Sequence, residues 1–177
     1  MRGAVFAEML NKLRGPPSVR SASASAQTPI DGSINADYLR IEGEAAKVDT
    51  MVFFNQVSDR FFETLGTDLL AGRDFNAYDT ADPPKVAIVN QTFAKKFFSG
   101  QSPIGKRYRT VGGTVLGEIV EIVGLVKDAK YVKQREEGYP VAYEPERQDA
   151  SPAAAKPHAA NPFKVFEQRT ESGARQF

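Results

Sequence analysis

Cysteine is absent from the 177 residues, so no disulfide, thiolate zinc site or cysteine nucleophile can be built. Its absence fits a periplasmic or a cytosolic home equally. Histidine occurs once, at His158, inside an Ala/Pro-rich stretch. One loop imidazole leaves no second ligand for a transition metal and no general base for Ser-His-Asp or Cys-His catalysis. No run approaches the roughly 20 apolar residues that a membrane-spanning helix needs, since Glu or Gly interrupts the longest apolar clusters. The opening MRGAVFAEML offers only Ala4 to Ala7 before Glu8, too short for a signal-peptide core. The chain as written is therefore expected to have neither a membrane span nor an export address. An excess of one charge is missing as well. With 23 Lys and Arg against 22 Asp and Glu, there is no general electrostatic reason to bind nucleic acid or an anionic membrane.

What is present belongs to a folded chain: 41% hydrophobic and 25% charged residues, at a length for one domain or two small ones. Phe6, Met9, Leu10 and Leu13 lie at helical spacing, and Gly15, Pro16 and Pro17 end that helix. The small residues of 19–26 read as a strand in close contact with a neighbour, with TPIDGS as a turn. Further strands are expected at 36–42 and 50–57, on either side of a loop at 43–49. Residues 149–162 read as a semi-extended Ala/Pro linker, and no solenoid repeat is visible.

The densest signals lie in 58–109. Ser58 is placed to cap a short helix carrying Phe61, Phe62 and Leu65, which Gly66 closes. An extended segment at 67–75 contains Gly72. Val86 to Val89 reads as a buried strand after the break at Asp82, Pro83 and Pro84. Asn90 then caps a helix with Phe93, Ala94, Phe97 and Phe98 on one face, Lys95 and Lys96 in water, and Gly100 at its end. The turn QSPIG, with Pro103 and Gly105, leads into a strand at 106–111. Ser58, Gly66, Gly72, Asn90, Pro103 and Gly105 are accordingly expected to hold structural positions.

Several stretches imitate chemical motifs. Gly100 to Lys106 satisfies GxxxxGK, but a phosphate loop needs a strand before it, a helix after it and a hydroxyl beside the lysine. Here a helix precedes, a strand follows, Pro103 removes a donor and Arg107 takes the hydroxyl position. Asp74, Asn76, Tyr78, Thr80 and Asp82 alternate like calcium ligands, yet Asp79 stands where the loop glycine belongs and Lys85 where the bidentate glutamate belongs. Asn90-Gln91-Thr92 is a glycosylation sequon whose asparagine is needed as a cap. The pairs Glu136 with Glu137 and Glu144 with Glu146 read as solvated charge. Lys106, Arg107, Tyr108 and Arg109 form a basic, aromatic strand compatible with single-stranded nucleic acid or with an ordinary exposed strand.

FFETLG, LLAGRDF, DTADPPKVAIVNQTFAKKFF and PIGKR, followed by EIVGLVKDAKY at 121–131 and VAYEP at 141–145, stand in a telling order and spacing. This resembles the periplasmic core domain of MacB-type ABC-transporter permeases, including the large permease families of soil bacteria, over roughly two thirds of the chain. The resemblance implies an α+β fold: a porter-like α/β sandwich unit, incomplete here, from residues 1–57 and 118–177, with a small α+β subdomain inserted at 58–117. Against the family pattern the chain reads as truncated at both ends, lacking a first strand and a last helix and strand.

The resemblance further implies a non-catalytic extracytoplasmic domain on the periplasmic side of the bacterial inner membrane, serving export or mechanical transmission by rearrangement of packed units. Expected partners are a nucleotide-binding ATPase subunit or domain, coupled through transmembrane helices outside this chain, and a periplasmic adaptor or second permease copy. No cofactor, metal, nucleic acid or catalytic residue is implied. The alternatives are a stand-alone protein- or peptide-binding module and a single-stranded nucleic-acid binder acting through 106–109.

Overall fold

The computed structural model describes residues 2–27, 35–43, 51–79, 84–112, 115–129, 138–149, 165–170 and 173–176. In chain order they form α1 (Arg2–Arg14), β1 (Val19–Ser25), β2 (Ala36–Ile41), β3 (Met51–Val57), α2 (Phe61–Leu65), β4 (Leu69–Gly72), β5 (Lys85–Asn90) and α3 (Gln91–Phe98). There follow β6 (Arg107–Gly112), β7 (Val115–Leu116), β8 (Val120–Val126), β9 (Val141–Pro145), a short 3-10 helix (Glu146–Asp149), β10 (Val165–Thr170) and β11 (Gly173–Gln176).

The class is α+β and one sheet dominates it. Its strands run β11-β10-β1-β3-β2-β6-β8-β5-β9, and β9 also pairs in parallel with β3. That last pairing closes β3, β2, β6, β8, β5 and β9 into a ring. β1, β10 and β11 extend from it as an antiparallel ribbon, joined to β3 through Ser25 and Val57. The pairings of β2 with β6 and of β9 with β5 connect 58–117 to the segments on both sides of it.

Side-chain alternation along each ring strand produces two cores. Leu39, Ile41, Val52, Phe54, Ala87, Val89, Tyr108, Val120, Ile122 and Ala142 point inward and meet Phe93, Phe97 and Phe98 of α3. On the outer side, Val86, Ile88, Val126, Val141 and Tyr143 meet Phe61 and Phe62 of α2 together with Phe75. β5 lies between the two cores, and this is why it reads as an unbroken apolar run: both of its faces are buried. Even Lys85 at its start is buried, with Nζ donating to the Gln148 carbonyl at 2.8 Å.

Helix α3 follows its sequence pattern. The Asn90 side chain accepts from the Phe93 N–H at 3.0 Å, the phenylalanines are buried, and Lys95 and Lys96 are exposed. Its end differs by one residue: Ser99, not Gly100, is the C-cap, at φ 49°.

Helix α2 departs at its start. The expected cap, Ser58, makes no capping bond; Arg60 occupies the cap position in the left-handed region, at φ 63°. The Ser58 hydroxyl instead accepts from the Ala24 N–H at 2.9 Å, because β1 lies close enough to claim it. Gly66 closes α2 at φ 67°, its N–H returning to the carbonyls of Glu63 and Phe62.

In α1, Leu10 is buried whereas Met9 is 51% exposed, the helix turning one side toward β1. The small residues of β1 fit their surroundings: Ser21 to Ser25 are all buried, with α1 and α2 both in contact with the strand.

Candidate functional site: the uncovered face of the ring

Outward-pointing residues of β3, β2, β6 and β7 lie in a transverse row. Met51 is directly opposite Tyr38, Tyr38 opposite Val111, and Val111 opposite Leu116. Residues opposite one another in antiparallel strands share a face, so these four side chains are neighbours. Val52 and Leu39, next in sequence to Met51 and Tyr38, and Tyr108 on the other face of β6 belong to the ring core. Among the described residues no element packs over the row: Met51 is 51% exposed, Tyr38 42% and Leu116 45%. At its β3 side it continues into Phe53, whose ring meets Tyr139 edge-on with centroids 4.7 Å apart. Phe53 packs against the outer core, so the bare row extends the covered one.

The next row on this face is cationic. Arg40 lies directly opposite Arg109. Glu42 accepts from Arg109 Nε at 2.7 Å, and Glu121 takes Arg107 at 3.1 Å. Arg40 has no ion pair among the described residues, and its Nε is buried without a hydrogen-bond acceptor. The basic strand 106–109 is thus split by its own pleat. Arg107 and Arg109 are matched by carboxylates, while Tyr108 is fully buried in the ring and offers no ring face to a base. Burial, with Glu144 adding to it, pushes the Tyr108 hydroxyl well above its ordinary value.

Of the expected structural residues, Gly72 and Gly105 lie side by side against Val123 and Ile122 of β8, while the others hold separate caps and contacts. Asn90 is the most heavily used: its Oδ1 also accepts from the Val141 N–H at 2.9 Å, and its Nδ2 donates to the Tyr139 carbonyl at 2.8 Å. That buried amide is closed to a glycan. Gly72 holds φ 75°, and a Cβ there would run into the Val123 carbonyl oxygen. Pro103 is buried and its carbonyl accepts from Lys106 N–H at 3.0 Å, while Gly105 N–H donates to Ile122 at 2.8 Å. The donors a phosphate loop would need are therefore spent on a turn between α3 and β6.

In the calcium-like stretch, Asp74 and Asn76 make Asx-type bonds to the N–H groups of Phe75 and Tyr78. Asp79 receives Arg73 through two bonds of 2.8 Å and the Asn76 N–H at 2.8 Å. Burial alone would raise the Asp79 carboxyl; the bonds from Arg73 and Asn76 outweigh it and leave it lowered. Thr80, Asp82, Glu136, Glu137, His158 and nearly all of the linker lie outside the described residues. Among the described residues no group of His, Asp and Glu is arranged to hold a metal, and no helix is long and apolar enough to cross a membrane.

One buried acid was not anticipated. Glu167 of β10 is fully buried, accepting from the hydroxyls of Ser25 at 2.6 Å and Ser23 at 3.4 Å. Burial raises its pKa to about 7 against the two serine bonds that oppose the shift. Lone glutamates give no sequence signal of burial, which is why it was missed; the serine alternation of β1 was the available hint.

Solved structures define the class of fold. The periplasmic region of MacB from Actinobacillus actinomycetemcomitans is similar at TM-score 0.54 and 15% identity, over 80% of this chain and 55% of that one. The extracellular domain of the noncanonic ABC-type transporter YknZ from Gram-positive bacteria is similar at 0.58 and 22%, over 93% and 72%. A domain of a putative permease from Porphyromonas gingivalis is similar at 0.55 and 15%, over 90% and 64%. At these identities the likeness is one of fold, and the chain spans 55% of the length of the MacB region. No curated protein matched the sequence.

The family follows from the sequence itself. Residues 4–154 match the model of the MacB-like periplasmic core domain, and the chain belongs to that family.

Proposed function

We propose that this chain is a non-catalytic extracytoplasmic domain of an ABC-type permease, on the periplasmic side of the inner membrane, which passes conformational change to partner proteins during export. ATP hydrolysis would occur on a separate nucleotide-binding subunit or domain and reach this one through transmembrane helices, and the contact would be with an adaptor or a second permease copy. The observation that carries the reading is a closed ring, packed on both sides of β5, that leaves one apolar outer face bare among the described residues. A stiff unit with an open face suits rigid-body rearrangement against a partner, and exposed apolar patches on soluble units mark interaction sites.

The test is the DNA flanking the reading frame in its source. In-frame segments of about 20 predominantly apolar residues are expected beside this domain. A promoter and ribosome-binding site directly before Met1, with a stop directly after Phe177, would overturn the reading.

A further inference from the structure

The bare row and the unmatched arginine lie side by side, and their chemistry selects a partner. We propose that the outer face of β3, β2, β6 and β7 docks an extended protein segment that lays apolar side chains along Met51, Tyr38, Val111 and Leu116 and sets a carboxylate on Arg40. This rests on the functional reading above, which requires a protein contact somewhere on the domain.

Three observations converge on that occupant. The row crosses four strands in register, so it presents a straight apolar track to an extended chain. The two arginines next to the track face each other directly, and like charges so placed destabilise a sheet unless neutralised. Arg109 is neutralised by Glu42; Arg40 has no such partner among the described residues, and its buried Nε lacks an acceptor. A carboxylate set on the Arg40 guanidinium would supply the second negative charge that the arginine pair lacks among the described residues. Glu42 and Glu121 flank the arginines, so the face suits a single carboxylate and opposes a broad anionic surface such as lipid headgroups.

The experiment is selection of displayed random peptides on the immobilised chain, wild type and variant. Peptides recovered on wild type should alternate apolar residues and carry Asp or Glu at one end of the apolar series. Arg40→Glu should replace that acid with Lys or Arg, and Tyr38→Ser should weaken a recovered peptide about 10-fold or more by fluorescence anisotropy, the loss of one well-buried contact. Both variants should keep the wild-type melting temperature, which separates lost binding from lost folding.

Peptides without an acidic residue, or insensitive to both substitutions, would overturn the proposal. Binding to phosphatidylglycerol vesicles that Arg40→Gln removes would reassign the face to a membrane. Concentration-dependent dimerisation removed by Tyr38→Ser would reassign it to a second copy. Failure of the flanking-DNA test with the selection intact would overturn the permease reading and spare the docking face.

Discussion

Over β9, β5 and β8 the outer face of the ring is roofed by Phe61 and Phe62 of α2, both against Tyr143, and by Phe75, which meets Phe62. Over β2, β6 and β7 the same face carries exposed apolar residues and has no roof among the described residues. The strands alternate equally well in both halves, so alternation tells which way a side chain points and is silent on what lies above it. Cover depends on where a helix five residues long happens to land. The roofed half is held by packing and ought to respond to truncation with lost stability. The bare half ought to respond with lost contact and an unchanged fold.

The strongest break of this contrast is Phe62→Ala, which removes a ring wedged against Tyr143 at 5.0 Å and Phe75 at 6.3 Å. Truncating a buried phenylalanine typically costs about 3–5 kcal/mol, read from urea unfolding. A loss below about 1 kcal/mol, the level of ordinary surface changes, would mean that α2 is not a working roof.

Next comes Gly72→Ala, at the point where β4 closes against β8. The added methyl meets the Val123 carbonyl in a left-handed backbone, and about 3 kcal/mol should be lost as the strand shifts. Asn90→Ala should follow at about 2 kcal/mol, combining a lost helix cap with a buried Val141 N–H left without its acceptor. Thermal melts of both variants would check the order.

Glu167 tests the seal over the ribbon. Arg169, two residues on along β10, donates to the Glu63 carbonyl of α2, which puts Glu167 on the α2 side as well. Its folded pKa is raised from 4.5 to about 7, so the fold prefers the protonated acid. That contribution is complete below the unfolded value and is lost as pH rises through the folded one. Stability should therefore fall between about pH 5 and pH 7, with a slope no steeper than ~1.4 kcal/mol per pH unit. Glu167→Gln should flatten that decline in urea midpoints taken across the range. An unaltered profile would show that water reaches the carboxyl.

The smallest effect is expected on the bare half. Tyr38→Ser with Met51→Ser should change stability by about 0.5 kcal/mol or less, as surface substitutions do. A larger loss would mean that the row is covered and would erase the contrast between the halves.

Local signals were legible wherever a few adjacent residues decide the outcome. The run 86–89, the Asn90 cap, the phenylalanine spacing of α3 and the stop at Gly66 all act within one or two turns of chain, and the structure places them as read. Ser58 was misread for an equally local reason. A serine before a helix is a good cap only while nothing else competes for its hydroxyl, and the Ala24 N–H, 34 residues earlier, does compete. The docking row was not legible, because Met51, Tyr38, Val111 and Leu116 come from four strands and become neighbours only through register. The pairing of Arg109 with Glu42, 67 residues apart, was hidden in the same way.

By itself the sequence determined that this is a folded α+β chain of the MacB-like periplasmic core family, without cysteine chemistry and with one histidine. These are properties of composition and of residues close along the chain. Only the tertiary structure decided that the sheet closes into a ring and that, among the described residues, one outer half is roofed, the other is bare and Arg40 has no carboxylate partner. Each of those turns on which strand lies beside which, and strand pairing is set by long-range packing of side chains that no neighbouring residue encodes.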